Sequence, residues 1–328
     1  MFGFLVTGAT LSVPNASSDN AEPIRTLDTV VVTGTAPGPG MWKVSKNGHA
    51  LWILGTLKPV PASVAWDSVT ASDVISKATL VLWEPSFTVN VDAGLFGKLS
   101  LGYSYMKARN NPDGQTLRDV LPPDVHARWQ RLRDRYLRGR GGMERKRPLS
   151  AAEELLAAAI TERGLTSNNI VTPIIVDVVN SNGIKLHSPR YTLELSRKDA
   201  SALLKDARAS SINDLGCLNA TMDVVENGMG RIITNANAWA VGDIDSIDAS
   251  LTAKRDTLCI DILSELSAAR EHGVPDIRSA MREIWIAAAD EALRTRKSTV
   301  AVLPIADLVA EEGYLHALRQ LGYDIESP

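Results

Sequence analysis

Cysteine is nearly absent: the 328 residues contain two, Cys217 and Cys259, and their spacing excludes a C-x-x-C zinc or thioredoxin-type site. Histidine is scarce too, with five in the chain. His49 falls on a hairpin, His126, His272 and His316 fall on helices, and His187 on a short β segment reads as a satisfied core or rim residue. Excess charge of either sign is missing: a formal charge of -3 gives no reason to expect nucleic acid or a strongly charged membrane, so partners have to be argued locally. There is no P-loop, no G-x-G-x-x-G and no Ser-His-Asp pattern; Gly34-Thr35-Ala36-Pro37-Gly38 lacks the strand-to-helix setting of a phosphate loop.

What is present is an ordinary globular composition, 45% hydrophobic and 22% charged, enough to bury the core of one large domain or two small ones. Residues 1–40 stand apart. Met1 to Pro14 is apolar and rich in small residues, lacks a basic start, and is too short to span a bilayer; it reads as an export-signal remnant or a tail. Asn15 to Pro23 is polar linker, Thr26 to Gly34 is a β-prone edge or exposed segment, and Ala36 to Gly40 can form neither helix nor ladder.

The organising stretch is Met41 to Lys58. Asn47-Gly48 between two apolar, aromatic-bearing runs predicts a hairpin, because both residues tolerate the positive φ of a type I′ turn. Ala50 to Leu54 is continuously apolar, as in a strand buried on both faces. Gly55-Thr56-Leu57-Lys58 then falls at the strand's carboxyl end, where sites of open α/β sheets gather. Thr79 to Trp83 predicts a second buried strand with Glu84 at its end and Pro85 stopping the ladder, and Ser298 to Leu303 predicts the last central strand, running into Pro304-Ile305-Ala306-Asp307.

Between them the period is helical. Helices are expected over Trp66 to Lys77, Leu95 to Lys107, Thr116 to Tyr136 with a break at Pro122-Pro123, Thr172 to Asn182 before Gly183, and most of Asp199 to Leu293. Ser150 to Glu153 reads as a capping box opening a helix that Gly164 closes. Ile184 to His187 should be a strand, Val309 to Leu321 a helix, and Gly322 to Ile325 a strand-like end. Nine of the twenty residues Arg128 to Arg147 are Lys or Arg; interleaved with glycine, they read as a helix's wet face rather than an anion site.

Trp52 to Lys58, WILGTLK, followed by Pro59-Val60-Pro61, resembles the first signature of the TraB/GumN family, which is related to the Tiki metalloproteases and more distantly to the ChaN and erythromycin-esterase folds. The resemblance implies an α+β fold: a central mixed sheet built from N- and C-terminal strands over Met41 to Ile325, covered by a helical insertion from about 95 to 295, with residues 1–40 as leader and linker. It also implies a site. The family's two G-x-x-H signatures fall on Gly55 to Lys58 and on Pro304 to Asp307, so lysine and aspartate stand where the family has histidines. Glu84 matches its glutamate after a strand, and Trp239, Gly242 and Asp243 match its A-W-x-x-G-D segment, where a helix stopping at Gly242 and restarting with Asp243 as N-cap is the structural alternative. Arg282 matches an arginine ahead of the last strand, with Glu283 in place of the usual asparagine; it would bind an anionic group or pair with Glu84 or Asp307.

The site expected from this resemblance is Lys58, Glu84 and Asp307 as an ionic cluster filling the old metal position, with Gly55, Thr56, Arg282 and Asp243 as ligand contacts. No tightly bound cofactor is expected, because an ammonium repels a cation and lacks a lone pair; Glu84 and Asp307 alone would hold a divalent ion weakly through water. The leading expectation is a degenerate, exported envelope protein, periplasmic or envelope-associated, binding a small molecule or peptide. The alternatives are a hydrolase using Lys58 with Glu84 and Asp307, or a factor of envelope polysaccharide machinery. Export, if it holds, would pair Cys217 with Cys259, closing a loop worth roughly 4 kcal/mol of unfolded-state entropy; in a reducing compartment they would be two buried thiols.

Overall fold

A computed structural model of the chain describes residues 38–209, 214–260, 269, 271, 274 and 276–328. The expected leader and β-prone segment lie outside the described residues. Strands β1 (Met41–Lys46) and β2 (His49–Thr56) form the hairpin, with Asn47 at φ 54° and Gly48 at φ 78°. Burial alternates along β1, while β2 is buried on both faces from Ile53 onward. The remaining strands are β3 (Val60–Pro61), β4 (Leu80–Leu82), β5 (Ser86–Asp92), β6 (Leu165–Thr166), β7 (Lys185–His187), β8 (Arg190–Ser196), β9 (Ser298–Pro304) and β10 (Asp324–Glu326).

Six of these make one mixed sheet in the order β10-β1-β2-β9-β4-β7, in an α+β chain as expected. The last central strand is inserted between the two early ones: β9 runs parallel to β2, with Gly55 opposite Leu303 and Thr56 opposite Pro304, and parallel to β4 on its other side. Three strands therefore deliver their carboxyl ends to one edge. Two smaller pairs flank the sheet, β3 with β6 and β5 with β8.

Among the described residues the α-helices are α1 (Val69–Ser76), α2 (Leu95–Ala108), α3 (Leu117–Val120), α4 (Pro123–Tyr136), α5 (Pro148–Glu162), α6 (Thr172–Asn182), α7 (Arg197–Ala209), α8 (Asp214–Asp223), α9 (Met229–Ala240), α10 (Ser250–Ile260), α11 (Ile277–Thr295), α12 (Ile305–Val309) and α13 (Tyr314–Gln320). One face of the sheet packs Trp42, Leu51, Ile53 and Leu303 against Trp285, Ala289 and Leu293 of α11. The other packs Leu54, Val81, Val300 and Val302 against Ile75, Ile175, Val179 and Trp239. Each such fully buried aliphatic contributes about 1.5–3 kcal/mol. A third core, built from α3, α4, α5, α8 and α9, holds Trp129, Leu155, Leu218 and Met222. Helix α9 belongs to both neighbours: Met229 and Ile232 sit in the helical core, Trp239 and Ala240 in the sheet core.

Several expectations are corrected by tertiary contacts. Helix α5 opens at Pro148, not at a Ser150 capping box; Ser150 is buried, and the Asp214 carboxylate of α8 accepts from the Leu149 amide at 3.4 Å and from Arg147 Nε at 3.1 Å. A carboxylate from a distant helix has replaced the local cap, and proline suits the first helical position. The expected Val309 to Leu321 helix is shorter, α13 from Tyr314 to Gln320: α12 ends at Val309, and the turn between them accepts a 2.5 Å hydrogen bond from Arg282 Nη1 at the Glu312 carbonyl. Strands β5 and β8 fall where no strand was expected. The basic run is largely a wet face on which Arg128, Arg133, Arg135 and Arg140 are ion-paired to carboxylates; Arg147, at its end, is instead buried against Asp214.

Cys217 on α8 and Cys259 on α10 are joined by a disulfide across 42 residues. Replacing both by serine should lower stability by about 4 kcal/mol in urea unfolding; an unchanged midpoint would show that the bond does not form in the protein.

Candidate functional site

The carboxyl edge of the sheet opens into a cleft of about 790 Å³. Its floor is the end of β2, Thr56-Leu57-Lys58-Pro59 with a cis Lys58–Pro59 bond, beside the end of β9, Pro304-Ile305-Ala306-Asp307. One wall is the amino-terminal half of α11, with Arg278, Met281 and Arg282, together with Tyr314 at the start of α13. Further lining comes from Ile232 and Asn235 of α9, Asp248 of the turn that follows, and Asp256 of α10.

Gly55 lies just behind the floor, and a side chain there is excluded by contact: a Cβ would come within 2.9 Å of the Trp42 ring and 3.3 Å of Ile305. Its carbonyl accepts a 2.8 Å hydrogen bond from the buried Trp239 indole, which ties α9 to the strand end. Thr56 is buried and donates across the strands to the Leu303 carbonyl at 3.3 Å. Both residues thus set the spacing between the two turns, and Thr56 also lines the cleft.

Lys58 Nζ and Glu84 Oε1 are 3.3 Å apart, each side chain about a third exposed. An ion pair this accessible stabilises the fold by at most about 1 kcal/mol, so its importance is local. Asp307 faces the same cleft from the other turn. Its carboxyl is held above the ordinary aspartate range, mainly because the surrounding protein displaces water; Arg278 pulls the other way, while the charges of Asp256 and Glu84 add to the rise. Tyr314, buried and edge-on to Trp285 at 4.9 Å, has its phenol pushed upward by desolvation and then by Asp307.

Of the residues expected at the site, Lys58, Thr56, Arg282 and Asp307 line one cleft, Glu84 joins it through Lys58, and Gly55 supports it. The cluster is half-exposed rather than buried, and no Lys58–Asp307 ion pair closes it. Arg282 pairs with the Glu312 carbonyl and not with Glu84 or Asp307. Asp243 lies off the cleft and caps no helix: it accepts from the Ser246 amide at 3.3 Å within a turn, and α10 starts later, at Ser250, with Asp248 accepting from Ser250 at 3.1 Å. His187 is on the exposed rim strand β7. Sequence reasoning missed Arg278, Asp256 and Tyr314. Arg278 carried a signal, since it stands four residues before Arg282 and shares its helix face; the other two depend on how α10 and α13 pack.

A desolvated carboxylate costs stability once it ionises. Asp307→Asn should therefore raise the unfolding midpoint at neutral pH. The gain should shrink as pH falls through the raised pKa and vanish below the unperturbed value of 3.8. Thermal unfolding of both proteins across pH measures this, and a gain independent of pH would contradict the desolvated carboxylate.

No curated protein and no solved structure matches the chain. The family model described as TraB/PrgY/gumN family matches residues 40–327, which takes in both strand-end turns, Glu84 and the Trp239 to Asp243 segment. The chain therefore belongs to the TraB/PrgY/gumN family.

Proposed function

We propose that this chain is a degenerate member of its family: an envelope protein whose strand-end cleft binds a small molecule or peptide and carries out no metal-dependent hydrolysis. The observation that supports this reading is the Lys58–Glu84 pair at 3.3 Å. A hydrolytic divalent-metal centre needs about three ligands with lone pairs and an open position for water. Here the position at the end of β2 carries an ammonium, whose charge already engages the neighbouring carboxylate. The donor set Lys58, Glu84 and Asp307 does not fit a tightly held cation.

The cleft's chemistry fits a ligand with charges of both signs. Lys58, Arg278 and Arg282 line it with Asp248, Asp256, Asp276, Asp307 and Glu312, and Leu57, Ile232, Met281 and Ile305 add apolar surface among them. Short peptides and amino-acid derivatives have this pattern. The polysaccharide reading draws less support, since no tryptophan lines the cleft among the described residues, and Trp42 is in the core.

Elemental analysis of the purified protein tests the proposal. The expected result is no stoichiometric transition metal after dialysis; one zinc or manganese per chain, retained through dialysis, would overturn it.

A second reading, a hydrolase using Lys58 with Glu84 and Asp307, is favoured by one observation: desolvation leaves Asp307 able to carry a proton at higher pH than an ordinary aspartate, on the turn beside the one that carries Lys58. Under that reading, Lys58→Ala and Asp307→Asn should each lower peptide or ester turnover by 10²-fold or more, about the contribution of a positioned acid or base. Turnover unchanged in both variants would remove it.

A further inference from the structure

We propose that the outer face of α2 is a docking surface for an anionic lipid bilayer, lying on the membrane rather than crossing it. Helix α2, Leu95–Ala108, presents Leu95 (72% exposed), Phe96 (85%), Leu99 (63%), Tyr103 (64%) and Met106 (56%) to solvent. At 3.6 residues per turn these five side chains fall within an arc of roughly 100–120° on one side of the helix. The opposite side packs along α7: Gly97 is buried there, a Cβ on it would stand 3.5 Å from the Arg197 side chain, and Leu101, Ser104 and Ala108 are half-buried. The helix is therefore held in place by one face while its most apolar face is left open, the reverse of the usual arrangement for a surface helix.

The charges decide what covers it. Lys98 borders the apolar arc on one side and Lys107 on the other, and no residue of α2 is acidic. Lys107 Nζ sits 4.7 Å from the centre of the Tyr103 ring, so the cation and the aromatic share one edge of the patch. A second copy meeting this face across a two-fold axis would bring lysines against lysines with no carboxylate on the helix to match them. A bilayer surface suits both parts: leucine, phenylalanine and methionine enter the acyl boundary, tyrosine stays at headgroup depth, and the lysines meet lipid phosphates. No described helix is long and apolar enough to cross a membrane, so the contact is interfacial. The chain's small net charge does not oppose this, because the match is local.

Co-sedimentation of the full chain with vesicles tests the proposal. Vesicles of phosphatidylglycerol and phosphatidylcholine should carry the protein down, pure phosphatidylcholine much less, and high salt should reduce binding. Lys98→Ala with Lys107→Ala should weaken binding roughly 25-fold, since each lysine near an anionic surface contributes about a factor of five. Phe96→Asp with Leu99→Asp should abolish it while leaving the thermal midpoint unchanged, because both side chains are exposed. Failure of the wild type to sediment with anionic vesicles would overturn the proposal. So would equal binding by the aspartate variant, or a dimer in sedimentation equilibrium that the aspartate substitutions dissolve, which would give the face to a second copy.

Discussion

The parallel pairing of β2 with β9 is the constraint on which the rest depends. Nearly 250 residues separate the two strands, yet their register sets Gly55 against Leu303 and Thr56 against Pro304. Both turns therefore leave the sheet at the same edge and level. The pairing needs buried apolar runs on both strands, because a parallel central strand is covered on both faces. It also needs a small residue where the turns approach, and Gly55 meets that need by admitting the Trp42 ring and Ile305. The Trp239 indole bonded to the Gly55 carbonyl then fixes α9, which adds to the cleft lining.

Once the turns meet, the residue at each end decides the chemistry. In this chain one end is an ammonium and the other an aspartate, with Glu84 arriving from β4. The ammonium takes Glu84, which leaves Asp307 among water-excluding walls and other carboxylates, and its proton affinity rises accordingly. The aspartate's raised proton affinity thus follows first from its burial and then from the carboxylates placed around it. Most of the fold's stability lies elsewhere, in the three apolar cores and the disulfide, so the edge is free to vary in sequence without loss of the scaffold.

Much of this was legible before any coordinates. Asn47-Gly48, the apolar runs at Leu51 to Leu54 and Thr299 to Leu303, and the charged residues after them each carry a local signal, and the site follows from strand ends. Glu84 could be placed because a carboxylate directly after an apolar strand is costly to bury. The misses share a cause. The β5 and β8 strands pair across about a hundred residues, and although Tyr191, Leu193 and Leu195 alternate, nothing local names the partner. The start of α5 was displaced by Asp214, a cap from another helix. Asp243 carried a helix-start signal that a turn absorbed, and Asp256 and Tyr314 reach the cleft only through the packing of their helices. Local chemistry was readable; contacts between distant helices were not.

The convergence of the two turns on one site is tested most directly by placing imidazoles at both strand ends. In Lys58→His with Asp307→His, two histidines and Glu84 would face one point, and the purified variant should take up one zinc per chain under conditions where the unaltered protein takes up none. A double variant that keeps its fold, as judged by circular dichroism and unfolding, but binds no zinc would contradict the shared position of the two strand ends.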